Sequence, residues 1–330
     1  MPSLLSRRSL LKLSLAAPCI PGLRFAWAIP YEDLSSEKYL GEVETLVELS
    51  ESKIFTEGPA YDGDDYIYFT NVPAHQIWWV KLSQPNSAGI FRQDSGGANG
   101  LHFDAQGRLL TCEGGRRRVA RTDMKTGKVE VLAEKYNGKP VASPNDLCLD
   151  RKGRIYFTSR PQTADSNANG VYRIDPDGTL TQLLRSPEVH MPNGIVISPD
   201  DKTLYLIEAH PKADHNRNIL AFDLQADGSL SNRRTLIDFY PGRSGDGMCI
   251  DSRGNLYVAA GLHKTRKTSE TLDTKPGIHV ISPQGKLLAF RETPADTITN
   301  CTFGGRDYKT LFVTCGPYLL KIPTKIAGKR

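Results

Sequence analysis

The stretch SPNDLCLDRKGRIYFTS, residues 143–159, places a polar residue in front of two short apolar runs. The runs are separated by a turn containing Gly, which is typical of a β-hairpin. Nearly the same pattern returns in MPNGIVISPDDKTLYLI, residues 191–207. An Asn that twice precedes a similar hairpin indicates an internal repeat.

Six segments of this kind follow one another along the chain. Each begins with a carboxylate or amide residue, continues with an apolar strand and a polar turn, and ends in a second apolar strand. The leading residues are spaced by 42 to 54 positions and are Glu57, Asn99, Asn145, Asn193, Asp246 and Asn300. Further short strands follow each hairpin, such as QIWWVKL at 76–82 and GIHVISP at 277–283. Three or four strands in about 40–55 residues make one blade of a β-propeller.

The repeats therefore predict an all-β fold, a six-bladed β-propeller of four-stranded antiparallel blades around a central channel. One such unit cannot bury both faces of its sheet, so the six should form a single domain over residues 29–330. GEVETLVEL, residues 41–49, precedes the first unit and is predicted to supply the outer strand of the sixth blade. Helix content should be low, because no long stretch has a 3.6-residue period.

Residues 1–28 are predicted to be a signal peptide rather than part of the fold. Arg7 and Arg8 stand in SRRSLLK, a modest apolar run follows, and AWA at 26–28 offers a cleavage site after Ala28. This pattern is typical of twin-arginine export. The apolar run is too short to span a bilayer in the mature protein. We expect recognition by the twin-arginine machinery and a periplasmic or secreted location, the alternative being an amphipathic N-terminal anchor.

The charge balance argues against a nucleic-acid partner. The whole chain has 42 Lys and Arg against 37 Asp and Glu. Residues 1–28 hold four of the basic residues and no acidic one, which leaves 38 against 37 in the remainder. A domain that binds nucleic acid usually carries a clear basic excess.

The cysteines show neither zinc spacing nor a C-x-x-C pair. Beyond the predicted signal, Cys112, Cys148, Cys249, Cys301 and Cys315 lie in or beside apolar strands. We expect buried free thiols that behave as small hydrophobic side chains. A bridge between Cys301 and Cys315 across one hairpin is the alternative.

The leading residues matter because the innermost strand of every blade lines the channel. The six polar side chains should therefore face one point on the axis, where leaving each unpaired would cost about 1–3 kcal/mol. Carboxylate and amide oxygens suit a hard divalent cation. Two carboxylates, Glu57 and Asp246, would balance its charge, and Asn145 and Asn193 would add neutral oxygens. A water-filled polar channel is the alternative.

Four motifs of this sequence, TEGPAY, SPNDLCLD, PNGIVISPD and DGMCIDSRGNLYVA, together resemble the senescence marker protein/gluconolactonase family, whose members are regucalcin-like six-bladed propellers. The similarity extends from about Glu51 to Ile322, and GGANGLHFDAQGRLLTCEGG resembles the gluconolactonase branch. It implies metal ligands at Glu57, Asn193 and Asp246, with Asn145 binding metal or substrate. The implied metal is calcium, with magnesium, manganese or zinc as substitutes.

The predicted function is metal-dependent opening of a small lactone, with a sugar aldonolactone favoured by the resemblance. The cation would polarise the lactone carbonyl. Asp246 is the candidate catalytic base, and Asn99, Glu113, Asn145 and Asn300 are predicted to orient the substrate. His210, His215 and His263 follow second strands near the same rim and are weaker candidates for a base. Two alternatives stay open: a phosphotriesterase-like hydrolase, and a non-catalytic propeller with a structural metal that binds a periplasmic sugar or a protein.

Overall fold

The computed structural model describes residues 29–84, 86–160 and 169–330. Within these residues almost all regular structure is β, in six four-stranded antiparallel sheets and one two-stranded ribbon. The predicted signal, residues 1–28, lies outside the described part. No helix of that part is long and apolar enough to cross a bilayer.

Twelve strands form the first three blades, and in each of them the chain runs from the innermost strand outward. Blade 1 has β2 (Thr56–Tyr61), β3 (Tyr66–Asn71), β4 (Gln76–Lys81) and β5 (Ala88–Arg92). Blade 2 has β6 (Ala98–Phe103), β7 (Leu109–Glu113), β8 (Arg118–Thr122) and β9 (Val129–Ala133). Blade 3 has β12 (Ser143–Leu149), β13 (Ile155–Arg160), β14 (Gly170–Ile174) and β15 (Leu180–Arg185). The ribbon of β10 (Lys135–Tyr136) and β11 (Lys139–Pro140) precedes blade 3.

The remaining blades follow the same order. Blade 4 has β16 (Pro192–Ile197), β17 (Thr203–Ala209), β18 (Arg217–Leu224) and β19 (Leu230–Asp238). Blade 5 has β20 (Gly245–Ile250), β21 (Leu256–Ala260), β22 (Gly277–Ile281) and β23 (Leu287–Glu292). Blade 6 has β24 (Ile298–Gly304), β25 (Thr310–Cys315), β26 (Tyr318–Pro323) and, outermost, β1 (Glu44–Glu48). Short 3₁₀ turns cover Ser36–Lys38 and Val72–Ala74.

The sixth blade closes the ring by joining both ends of the propeller. Strand β1 pairs antiparallel with β26, with Glu44 opposite Lys321 and Glu48 opposite Tyr318. The innermost strands also contact one another in sequence, and β24 contacts β2. The predicted six-bladed fold and the predicted role of residues 41–49 are therefore confirmed.

Apolar side chains fill the spaces between neighbouring blades. Between blades 5 and 6, for example, Tyr257 and Ile278 pack with Ile298 and Val313. These four side chains are fully buried, which at about 25 cal/mol per Å² of apolar surface makes this packing a main source of stability. The core thus fixes the angle between blades and holds the innermost strands in place.

A local irregularity recurs at the leading residue of every repeat. In all six innermost pairs the register shifts at or beside that residue, for example between Pro144 and Leu147 and between Gly245 and Met248. A β-bulge leaves a residue outside the ladder and re-aims its side chain. The repeated bulge therefore sets the direction of the repeated polar side chain in every blade.

The described cysteines are free thiols, as predicted. Four of them are buried and Cys249 is half-buried. The alternative bridge across the hairpin is not formed, since Cys301 lies opposite Val313 and Cys315 lies opposite Ile298. The Cys315 thiol donates to the carbonyl of Ala295 at 3.2 Å. The Cys301 Sγ instead lies 3.4 Å from the Sγ of Cys249 in the neighbouring blade.

Candidate functional site at the propeller axis

The structure places all six leading residues on the innermost strands, and it buries five of them almost completely. Asn99 is half-buried, whereas the other five side chains belong to residues no more than 7% exposed: Glu57, Asn145, Asn193, Asp246 and Asn300. Asn193 and Asp246 are in direct contact, since the Asn193 Nδ2 donates to the Asp246 Oδ1 at 2.6 Å. The blades thus bring together side chains that are up to 243 positions apart in the sequence.

Glu57 lies in the least favourable environment for a carboxylate. Its pKa is raised well above the ordinary value, first by burial and then by the nearby carboxylates of Asp246 and Asp146. The backbone N–H of Gly58, which donates at 3.0 Å, and the side chain of Asn300 offset part of this shift. A positive charge at this point would favour the ionised form of Glu57.

Asp246 has a basic neighbour that the sequence analysis did not single out. The guanidinium of Arg243 forms a buried ion pair with the Asp246 Oδ2. Arg243 also donates to the carbonyl oxygens of Ile298 at 3.0 Å and Gly261 at 3.3 Å, which fixes its direction. The only sequence signal was its position three residues before Asp246 in RSGDGM.

Asp146 is a second axial residue that the sequence analysis missed. It is buried, and its Oδ1 accepts from the backbone N–H of Leu147 at 2.9 Å, while Asn300 Nδ2 lies 3.4 Å from its Oδ2. Burial is the main cause that raises the pKa of Asp146 to about 7. Three carboxylates therefore lie near one another at the axis, where the sequence predicted two.

A signal for Asp146 was present in the repeats. The residue after the leading residue is Gly in four of the six units: Gly58, Gly100, Gly194 and Gly247. These glycines lie against the next innermost strand; a Cβ on Gly100, for example, would lie 2.6 Å from the Asp146 Oδ1. The two units that break this pattern carry Asp146 and Cys301 there.

Two cavities meet the axial residues. Asn99 and Asn145 line one of about 350 Å³, together with His75, Gly114 and Ser143. The Oδ1 of Asn99 is buried and has no hydrogen-bond partner, so it is an acceptor available to a ligand. A second cavity of about 850 Å³ reaches from Gly58, Asp146 and Asn300 to Arg151 and Lys329.

Glu113 and Asn300, both predicted to orient the substrate, have partners within the chain. The Glu113 carboxylate is fully buried and accepts from the Arg118 Nε at 2.7 Å, with Arg116 and Arg92 at 3.5 and 3.6 Å. The Asn300 amide is occupied by its contacts to Asp146 and the backbone N–H of Cys301. An amide has two N–H donors and two acceptor sites, and a carboxylate has about four acceptor sites, so both side chains keep capacity for a further hydrogen bond. Their substrate-orienting role stays a prediction.

The rim histidines form a cluster beside blade 4. The rings of His210 and His215 stack with centroids 3.7 Å apart, and His190 packs edge-on against His215 at 5.0 Å. Burial and the neighbouring imidazoles lower the pKa of His210 to about 4. His263 lies elsewhere, with Nε2 2.8 Å from the carbonyl of Thr293.

The axial donors fit a hard divalent cation. Among the described residues, no three His, Cys, Asp or Glu side chains are arranged as a metal-binding group. The axial set instead mixes carboxylates with amides, which is the donor chemistry of calcium and magnesium. A cation would offset the burial and the carboxylate repulsion that raise the pKa of Glu57, and a ligand could donate to the unpartnered Asn99 Oδ1.

Fold and site together define a six-bladed β-propeller with a buried acidic and amide site on its axis. Residues 55–316 match the family described as SMP-30/Gluconolactonase/LRE-like region. The chain belongs to this family, as the sequence motifs predicted.

Individual relatives agree with this assignment. The chain is 29% identical over 319 residues to a gluconolactonase from Zymomonas mobilis. The aligned region covers 87% of this chain and 83% of the relative. Human regucalcin is 28% identical over 286 residues, covering 83% and 82%. Among solved structures, a gluconolactonase from Xanthomonas campestris superimposes with a TM-score of 0.75 at 28% identity, covering 92% of this chain and 99% of that one.

Proposed function

We propose that this protein hydrolyses a lactone, and that its substrate is a sugar aldonolactone. The observation that carries the proposal is the contact of Asn193 with Asp246, beside the buried Glu57 carboxylate, at the axis of a propeller of this family. The similarity to two gluconolactonases supports the choice of substrate. Asn99 and Asn145 line the smaller cavity, and in this proposal they would bind substrate hydroxyls.

The proposal includes one divalent cation, with calcium first and magnesium, manganese or zinc as substitutes. Glu57, Asn193 and Asp246 would hold it, with Asn145 as a further ligand. When bound, such an ion acts as a Lewis acid on the carbonyl oxygen of an ester or lactone. It would also lower the cost of keeping Glu57 ionised, since opposite charge favours the carboxylate.

The chain's own residues would then control the attacking water. Asp246 is the proposed base, because its Oδ1 accepts one bond from Asn193 and keeps a lone pair for a water proton. Arg243 holds the other oxygen, so the carboxylate cannot turn away. The water oxygen bonds to the carbonyl carbon, the ring C–O bond breaks, and the proton passes to the departing alkoxide.

Proton release from a panel of lactones tests the proposal directly. Purified protein is chelated, and calcium, magnesium, manganese or zinc is then restored separately. We expect glucono-type lactones to be opened only after a cation is restored. Asp223→Asn, on an outer strand of blade 4, is the matched carboxylate control and should behave as wild type.

The other outcomes identify the alternatives. Cation binding without turnover of any lactone would indicate a propeller that binds its ligand without catalysis. Faster turnover of a phosphotriester than of every lactone would indicate the phosphotriesterase-like reading. Either result would overturn the proposed reaction.

We also propose that residues 1–28 direct the precursor to twin-arginine export. The support is the SRRSLLK segment followed by an apolar run and AWA. Replacing Arg7 and Arg8 together by Lys should leave the precursor in the cytoplasm, as fractionation would show. Mature protein outside the inner membrane in this variant would contradict the proposal.

A further inference from the structure

Two thiols face each other across the boundary between blades 5 and 6. Cys249 on β20 and Cys301 on β24 are 52 residues apart, and their Sγ atoms are separated by 3.4 Å. Both line the larger axial cavity. Cys301 is 4% exposed and Cys249 is half-buried, so the pair has one member that a small reagent in the cavity can reach first.

The fold brings these two strands close together. A Cβ on Gly247 would lie 2.1 Å from the Cγ of Asn300, so β20 and β24 approach one another where one strand has no side chain. Cys249 follows Gly247 by two residues, directly after the bulge between Gly245 and Met248. On β24, the backbone N–H of Cys301 donates to the Asn300 Oδ1 at 2.8 Å, which fixes the position of Cys301.

The other described cysteines have different neighbours. The Cys315 thiol donates to Ala295, Cys112 packs in the core between blades 2 and 3, and Cys148 packs in the core between blades 3 and 4. The separation of Cys249 and Cys301 exceeds a disulfide bond, about 2.05 Å, by little more than 1 Å. Side-chain rotation can supply such a movement. Each of these two thiols therefore has the other as a partner for an intramolecular disulfide.

We propose that Cys249 and Cys301 form a reversible disulfide that links blades 5 and 6 beneath the axial site. The oxidant is a disulfide, either a small molecule or a protein. The Cys249 thiolate attacks one sulfur of the oxidant and releases the first thiol; the Cys301 thiolate then attacks the Cys249 sulfur and releases the second. Two protein thiols are oxidised to one disulfide, and one external disulfide is reduced to two thiols.

The bond would have a defined effect on the molecule. It would close a loop between β20 and β24, and such cross-links stabilise a fold by restricting the unfolded chain. It would also tie together the strands that carry Asp246 and Asn300, both of which belong to the axial site described above. The disulfide does not depend on any particular reaction at that site.

Peptide mapping of the oxidised protein tests the proposal. The purified protein is incubated with oxidised glutathione at a mildly alkaline pH, because burial raises the pKa of the Cys249 thiol. Free thiols are then blocked, and the protein is digested with trypsin without reduction. We expect peptides 244–253 and 292–306, each with one cysteine, to appear as one linked species that dithiothreitol separates.

Thermal unfolding supplies a second measurement. Oxidation should raise the Tm of the wild type by roughly 5 °C, as a loop of this length predicts. Cys249→Ser should lose both the linked peptide and the rise in Tm. Cys315→Ser, which removes a buried thiol of blade 6 outside the pair, is the matched control and should keep both.

Two results would overturn the proposal. One is a wild-type protein whose peptides 244–253 and 292–306 stay unlinked under excess oxidant. The other is linkage of Cys301 to Cys315 instead of Cys249. Because both results come from the wild-type protein, they do not depend on whether a variant folds.

Discussion

Glu57 and Glu113 are the same residue type and are equally hidden from solvent, yet their surroundings are opposite. Glu57 lies at the axis, where two further carboxylates, Asp146 and Asp246, help to raise its pKa. Glu113 lies in the wall of blade 2, where three guanidinium groups surround it, those of Arg92, Arg116 and Arg118. Burial alone therefore does not determine the electrostatic environment of a buried carboxylate. The charges of the neighbouring side chains determine it.

The two carboxylates differ in how their negative charge is balanced. In the wall, arginines compensate the carboxylate within the chain itself, as stable buried charges usually require. At the axis, Arg243 contacts Asp246, but three carboxylates lie near one another. Repulsion among these carboxylates favours the binding of a cation or a proton.

Changing the charge of Asp246 should produce the largest effect. Asp246→Asn is expected to lower the rate of lactone hydrolysis at least about 100-fold, because an amide can neither accept the water proton nor balance a cation. Its similar shape should leave the blades intact. Initial rates with saturating cation measure the loss of hydrolysis, and the far-UV circular dichroism spectrum shows whether the fold is intact.

Added cation separates the two roles of Asp246. Full rescue by excess cation would assign Asp246 to ligation alone and place the base elsewhere. If Asp246→Asn kept the wild-type rate without added cation, the axial site would not be catalytic, and the contrast between Glu57 and Glu113 would have no bearing on the reaction.

Neutralising the two glutamates should change stability in opposite directions. Glu113→Gln leaves Arg92 and Arg118 without their counter-charge, whereas Arg116 keeps its ion pair with Asp94 at 2.6 Å. This change should lower the free energy of unfolding by about 2 kcal/mol, a value reduced because the arginines are partly exposed. Glu57→Gln removes a charge repelled by two others and should raise it by about 1 kcal/mol in the chelated protein. Urea unfolding at pH 8 measures both. A loss of stability from both variants would show that the axial charge is already compensated.

Asn193→Ala should affect cation binding more than chemistry. It removes a neutral oxygen, so we expect affinity for the cation to fall about tenfold, or about 1.4 kcal/mol, with much of the rate recovered at high cation concentration. Titration calorimetry measures the affinity. Gln106→Ala, which removes an exposed amide at a turn, is the control and should leave affinity unchanged.

Glu208 is intermediate between Glu57 and Glu113. Its carboxylate is buried against the backbone N–H groups of His190 and Met191, and burial raises its pKa to about 7. Because the folded state then binds this proton more tightly than the unfolded state, stability should fall as pH rises from about 4.5 to about 7. Wild type should lose about 2–3 kcal/mol relative to Glu208→Gln between these pH values. Parallel stability curves for the two proteins would contradict this expectation.

The sequence predicted the fold because the fold is a repetition. The period, the turns and the leading residues each recur six times, so a single error of alignment would have been visible. The same repetition located the axial positions of Glu57, Asn193 and Asp246, and it identified residues 41–49 as the closing strand.

What the sequence did not predict depends on how neighbouring blades approach one another. Arg243 precedes its strand and reaches the axis through contacts with Ile298 and Gly261 in other parts of the fold. Asp146 and Cys301 occupy positions that are Gly in the other units, and their partners lie in different blades. The repeats indicated that these positions were exceptional but not which residues they would meet.

The closing strand β1 also determines when the protein can finish folding. Glu44 pairs with Lys321, 277 positions later, so the sixth sheet needs segments from both ends of the chain. During synthesis the early blades can form in turn, whereas β1 has to wait until the last blade has left the ribosome. Contacts between such distant residues slow folding. If the precursor is exported in its folded form, ring closure is the step that has to be completed before transport.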